Sequence, residues 1–135
     1  MIWRYKRNFE GSILFVDFAT EKNDFLPTLE DIGRATLFAR NLDEANVILS
    51  LGVVGAVVTV IDPLEPDNIE KTNALVTRTE ELGLPIASMS LFNPDWIENL
   101  ASQLGFETHF RGIPDAKQIA ELATTSEPAL GVNRD

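Results

Sequence analysis

Four apolar runs in this chain each end on a residue that can do chemistry. Asp17 closes SILFV, Asp62 closes AVVTVI, Ser90 closes IASM and Arg111 closes a short run ending in His109 and Phe110. Asp17 and Asp62 lie 45 residues apart, Asp62 and Ser90 28, and Ser90 and Arg111 21. If the runs are parallel strands of one sheet, the four side chains share its C-terminal edge. Two carboxylates converging there repel, and one must take up a proton unless a cation relieves the pair. Arg111 stays charged at any working pH and its planar fork can bridge carboxylates. The spacing therefore predicts that Arg111 points into the crevice and pairs with Asp62 or Asp17. Removing it from a shielded site would cost about 1–3 kcal/mol. The plain alternative is that the aspartates cap loops or helix N-termini. The joint register of four polar strand ends favours a former or altered active site.

The elements that must position these residues follow from the hydrophobic pattern. Strands are expected over Ser12–Phe18, Ala35–Arg40, Val54–Ile61, Pro85–Leu91 and Phe106–Ile113. Helices are expected between them and after the last. The first, NDFLPTLEDIGRA, carries Leu26, Leu29 and Ile32 at helical spacing. The second is capped by Asn41 with Glu44 and stops at Gly52. In the third, NIEKTNALVTRTEEL, Asp67 and Glu70 supply the cap and Gly83 the stop. Pro94 opens the fourth, DWIENLASQL, and Pro114 with Asp115 the fifth, AKQIAELATT. Alternating strands and helices specify an α/β protein. The leading topology is a flavodoxin-like (βα)5 three-layer sandwich with a parallel five-stranded sheet of order 2-1-3-4-5. Its crevice opens between the first and third strands, where Asp17 and Asp62 stand. The expected organisation is an N-terminal extension over 1–11, one domain over 12–124, and a tail or linker over 125–135.

Composition narrows the function. With 135 residues and 44% hydrophobic content, one domain can bury a core of its own. There is no cysteine and only one histidine, His109, which excludes disulfides, thiolate chemistry and a multi-histidine metal cluster within the chain. A net charge of −10 argues against a nucleic-acid-gripping surface. The one basic cluster, Arg4, Lys6 and Arg7, is read as a solvated extension. No apolar run spans a membrane, and the N-terminus is charged where a signal peptide needs an apolar stretch, so a cytoplasmic protein is expected.

From Ser12 to Thr124 the chain resembles the receiver domain of two-component response regulators. The resemblance rests on Asp17 in LFVDF, Asp62 and Pro66 in VIDPLEP, Ser90 in PIASMSL and Arg111 in HFRGI. It implies phosphorelay signalling, with Asp62 as phosphoacceptor and Asp17 and Asp62 as ligands of Mg2+. Ser90 and Arg111 would hold the phosphoryl oxygens, and any catalysis would be limited to phosphorylation and dephosphorylation at Asp62. It also implies a partner: a histidine kinase, a downstream signalling protein, or a second copy docking on the face of the fourth helix, fifth strand and fifth helix. Several residues depart from the pattern. Phe18 replaces the second acid, the more direct metal ligand, which weakens magnesium binding. Glu21 and Glu65 stand in the adjoining loops, where either could reach the site, and are expected to be solvated loop acids. Arg111 stands for lysine, Gly112 for the proline after it and Thr108 for the aromatic before it. Leu91 fills a position that favours a small residue, and Pro63 directly follows the acceptor. These departures point to an atypical receiver, or pseudo-receiver, with impaired phosphorylation. The alternatives are a phosphorylatable receiver with an unconventional metal site, and a small-molecule-binding flavodoxin-like domain. The second lacks a Gly-rich phosphate loop after the first strand. His109 is expected to be a partly buried strand residue, and Trp96 either core or a partner anchor.

Overall fold

The structure is a computed structural model that describes residues 11–18, 35–61, 66–91 and 93–122. The basic cluster, the expected first helix, Glu21, the segment Asp62–Glu65 and the expected tail lie outside these residues. The described elements run β1 (Ser12–Val16), β2 (Thr36–Ala39), α1 (Leu42–Ser50), β3 (Val54–Val60), α2 (Pro66–Leu82), β4 (Ile86–Ser90), α3 (Ile97–Gln103) and β5 (His109–Arg111). A final helix, α4, covers 116–122. All five strands are parallel, in the order β2-β1-β3-β4-β5, as the strand and helix alternation predicts.

Strand alternation sorts the core into two sides of the sheet. Ile13, Phe15, Val58, Met89 and Phe110 face one side and pack with Ile119 and Leu122 of α4. Leu14, Val16 and Val57 face the other and pack with Ala45 and Leu49 of α1 and Leu75 of α2. A third cluster joins Ile61 and Val76 to Ile97, Ala101 and Leu104 around α3. At the start of the sheet Gly11 passes so close to β3 that a Cβ there would lie 2.7 Å from Gly55 Cα. Only glycine permits that approach.

Helix ends largely follow the expected signals. Asn41 Oδ1 accepts from Glu44 N–H at 2.8 Å, and the Glu44 carboxylate reaches back to the Arg40 N–H at 2.9 Å. Asp115 and Gln118 form a reciprocal capping box. Two expectations are corrected. The helix α2 begins at Pro66, so Asp67 lies inside its first turn instead of capping it. Proline suits a first helical position because the missing N–H has no intrahelical partner there. The helix α3 begins at Ile97, three residues past Pro94, because the Ile97 N–H closes a turn onto the Pro94 carbonyl first.

The apolar residues of the fourth and fifth expected helices are mostly core. Ile97, Ile119, Leu122 and Phe110 are buried. The large apolar surface left open here belongs to Leu91 and Trp96, 59% and 50% exposed.

Candidate functional site

The C-terminal edge of the sheet gathers the polar strand ends. Asp17 follows β1 directly, its backbone N–H donates to the Ala39 carbonyl at 3.0 Å, and the residue is 3% exposed. Phe18, next in the chain, packs against the α1-side apolar cluster. Its ring thus occupies apolar surroundings, with no oxygen to offer a cation. Ile61 continues the β3 ladder by donating to the Met89 carbonyl at 2.8 Å, and Asp62 is the next residue, outside those described. Ser90 ends β4 fully buried.

The Ser90 hydroxyl is already engaged. It donates to Asn93 Oδ1 at 2.5 Å and lies 2.8 Å from His109 Nε2. The other ring nitrogen, Nδ1, lies 2.6 Å from Ser88 Oγ. Parallel register explains the geometry. Ser88 pairs with His109 and Ser90 with Arg111, so the imidazole on β5 lies across two hydroxyls on one face of β4. Burial lowers the His109 pKa below 6.5; the Glu98 carboxylate raises it and the Arg111 guanidinium lowers it, with a net downward shift.

Arg111 is not where electrostatics between carboxylates would send it. Its Nε donates to Glu98 Oε2 at 2.9 Å, and its side chain is 49% exposed. Among the described residues its ion partner is Glu98 of α3 rather than the expected Asp17, and the alternative partner Asp62 lies outside those residues. The reason is local: Glu98 on the first turn of α3 offers a carboxylate without the cost of drawing a guanidinium into a buried crevice. The residue after it, Gly112, has φ 99° and donates its N–H to the Ser90 carbonyl at 2.8 Å. A proline there could neither make that bond nor adopt that φ.

Asp17 and Ser90 thus stand at the same edge of the sheet, on strands separated by β3, and Arg111 at that edge turns to α3. Ser88, Asn93 and Glu98 were not anticipated as site residues. The Ser-x-Ser pattern of β4 with a histidine on the neighbouring strand is the signal that could have found them. Among the described residues no three His, Asp or Glu side chains converge as a metal site. Magnesium takes oxygens in octahedral array. With Asp17 as the carboxylate ending β1 and a packed Phe18 ring beside it, the described donor set does not fit that ion.

Neither protein-family models nor curated proteins match the chain. Solved structures do. The crystal structure of a response regulator receiver domain protein from Clostridium thermocellum has 16% identity and a TM-score of 0.62, over 90% of this chain and 98% of that one. A two-component response regulator from Clostridium difficile has 18% identity and a TM-score of 0.60, over 89% and 98%. A third match is the co-crystal structure of the Saccharomyces cerevisiae phosphotransfer protein Ypd1 with the receiver domain of its downstream response regulator Ssk1. It has 15% identity and a TM-score of 0.57, over 85% and 87%. The strand order, the parallel register and these likenesses agree: this chain has the fold of the response-regulator receiver domain.

Proposed function

We propose that the chain is an atypical receiver, a two-component signalling and protein-interaction domain in which phosphorylation of Asp62 is impaired. The observation that carries this reading is the Phe18 ring, built into the apolar cluster at the position of the second metal-binding acid. Two further observations support it. The Ser90 hydroxyl, which would hold a phosphoryl oxygen, is bonded to Asn93 and His109. Arg111, which would neutralise that oxygen, is bonded to Glu98. Fold analogy alone does not assign function, so it is these side chains that favour an altered receiver over an active one.

Its partner is a protein of the same signalling class, such as a histidine kinase, a phosphotransfer protein or a downstream regulator, or a second copy of the chain. The docking face is formed by α3, β5 and α4, with Leu91 and Trp96 as its open apolar anchors. The test is acetyl phosphate with magnesium, read by intact mass. The expected result is little or no phosphoryl adduct. Rapid addition that Asp62→Asn abolishes would overturn the reading.

A further inference from the structure

Among the described residues the open apolar side chains fall at two opposite edges of the sheet. Leu91 and Trp96 follow the C-terminal end of β4. Leu51, Val53 and Leu82, 64%, 47% and 39% exposed, lie at the N-terminal edge. Val47, one turn before Leu51 on α1, extends the patch at 61%. Chain order places them there. Leu51 and Val53 join α1 to β3, and Leu82 ends α2 just before β4, the neighbour of β3. The same edge gathers negative charge. A helix C-terminus carries about half a negative charge, which cations normally offset. Neither α1 nor α2 has a basic residue in its last turn, and α2 adds Glu80 and Glu81. Arg78 approaches Glu81 at 3.6 Å on the exposed surface.

Residues 1–10, MIWRYKRNFE, precede the described chain and join the fold at this place. The Ser12 N–H donates to the Val53 carbonyl at 2.9 Å, and Gly11 runs against Gly55. The segment holds Trp3, Tyr5 and Phe9, and three of the chain's 11 lysine and arginine residues, Arg4, Lys6 and Arg7. A chain of net charge −10 thus concentrates cations and aromatic rings beside open apolar surface and uncompensated helix ends. Two strand spacings, about 10 Å, separate β1 from β4. Ten extended residues reach about 30 Å, enough to cover the patch. We propose that segment 1–10 folds back across the N-terminal edge of the sheet and is the occupant of the patch formed by Leu51, Val53 and Leu82. Its aromatic side chains cover those residues, and its cations offset the C-terminal ends of α1 and α2. The basic cluster is then an internal docking segment rather than a solvated extension. The surface lies opposite the Ser90 edge, so the inference does not depend on the state of the acceptor site.

The chain has no cysteine, so an introduced pair reports one proximity without competition. In the full chain, Tyr5→Cys with Leu51→Cys should close a disulfide within one molecule under mild oxidation. Closure should be at least about tenfold faster than for Tyr5→Cys with Glu107→Cys, an exposed position before β5 at the same edge but off the patch. A segment that does not dock would link both sites at similar rates, and that result overturns the proposal. A disulfide that forms between molecules also overturns it, because a second copy then supplies the occupant. Trp3 gives a second readout in a Trp96→Phe background, where it is the only tryptophan. It should be shielded from acrylamide. Leu51→Lys, at an exposed position, removes apolar contact and adds like charge; it should shift the docked population about tenfold towards open and restore quenching. A Trp3 that is fully quenched in the parent, or equally shielded in Leu51→Lys, refutes the docking.

Discussion

Replacing Phe18 by aspartate perturbs stability and metal binding in opposite directions. The ring is half-buried against the cluster built on Leu14, Val16, Leu49 and Leu75. Truncating a fully buried phenylalanine costs about 3–5 kcal/mol, so a half-buried one should cost about 2 kcal/mol. The new carboxylate adjoins Asp17, itself 3% exposed. If repulsion displaces one pKa by a single unit, that adds about 1.4 kcal/mol at neutral pH. The metal-free variant should therefore lose about 3 kcal/mol. That corresponds to a fall in Tm of roughly 10 °C for a domain of this size.

On the proposed receiver reading, the same change supplies the second acid that a magnesium site needs. A ligand that binds only the folded state stabilises it by about 2.7 kcal/mol at a hundredfold excess over Kd. Magnesium should thus restore most of the loss in Phe18→Asp and do little for the parent chain. Urea titrations of both proteins with magnesium, and with calcium chelated, measure the two effects. If the variant shows no magnesium-dependent rise, the strand ends do not meet as the topology implies. If the parent chain gains as much as the variant, Phe18 is no obstacle and the impaired-site reading fails.

Three other outcomes follow from the same geometry. Arg111→Ala should cost no more than about 1 kcal/mol, because its pair with Glu98 is exposed on both sides; a loss above about 2 kcal/mol in chemical denaturation would mean the guanidinium faces the buried crevice after all. Because His109 is less basic in the fold than at 6.5, the unfolded chain takes up its proton first; stability should be full above that pH and fall as pH drops through 6.5 towards the folded value. His109→Gln should flatten this slope, and an unchanged slope would contradict the buried neutral ring. Leu91→Glu with Trp96→Glu should weaken self-association or partner binding without lowering Tm, since both side chains are half-exposed or more; a chain that is monomeric at high concentration and binds its partner unaffected would rule that face out.

Much of the fold was legible because it rests on patterns that a single chain displays. The apolar runs located all five strands to within a few residues, and Asn41 and Gly52 marked α1 at both ends. Alternating elements and right-handed crossovers then left the 2-1-3-4-5 order as the leading solution. Asp17 and Ser90 fell at the expected strand ends for the same reason. Arg111 did not behave as expected because its partner was chosen by tertiary proximity. Glu98 lies thirteen residues earlier in sequence and reaches it only once α3 has packed beside β5. The His109 bridge was missed on similar grounds. Its ring joins two serines through a strand register that no local periodicity encodes.

These unforeseen contacts share a location. Asn93 and Glu98 flank the start of α3, and each is bound by a residue of the sheet edge, Ser90 in one case and Arg111 in the other. Leu91 and Trp96, the open apolar residues, lie within the same stretch. The segment around the start of α3 is therefore tied to the sheet edge by two polar contacts beside the buried Ile97, and the Glu98 contact is exposed. Ile97 and Ala101 anchor the body of that helix in its core cluster. A perturbation of the Ser90 hydroxyl would act first on the loop that carries Asn93, and through it on the residues offered to a partner. A packed core resists small displacements, whereas a loop held by single hydrogen bonds can exchange one partner for another at modest cost. On the proposed reading of an impaired acceptor site, that connection runs inward as well. A protein bound at Leu91 and Trp96 that reorders the loop would change which acceptor the Ser90 proton meets, because linked equilibria act in both directions.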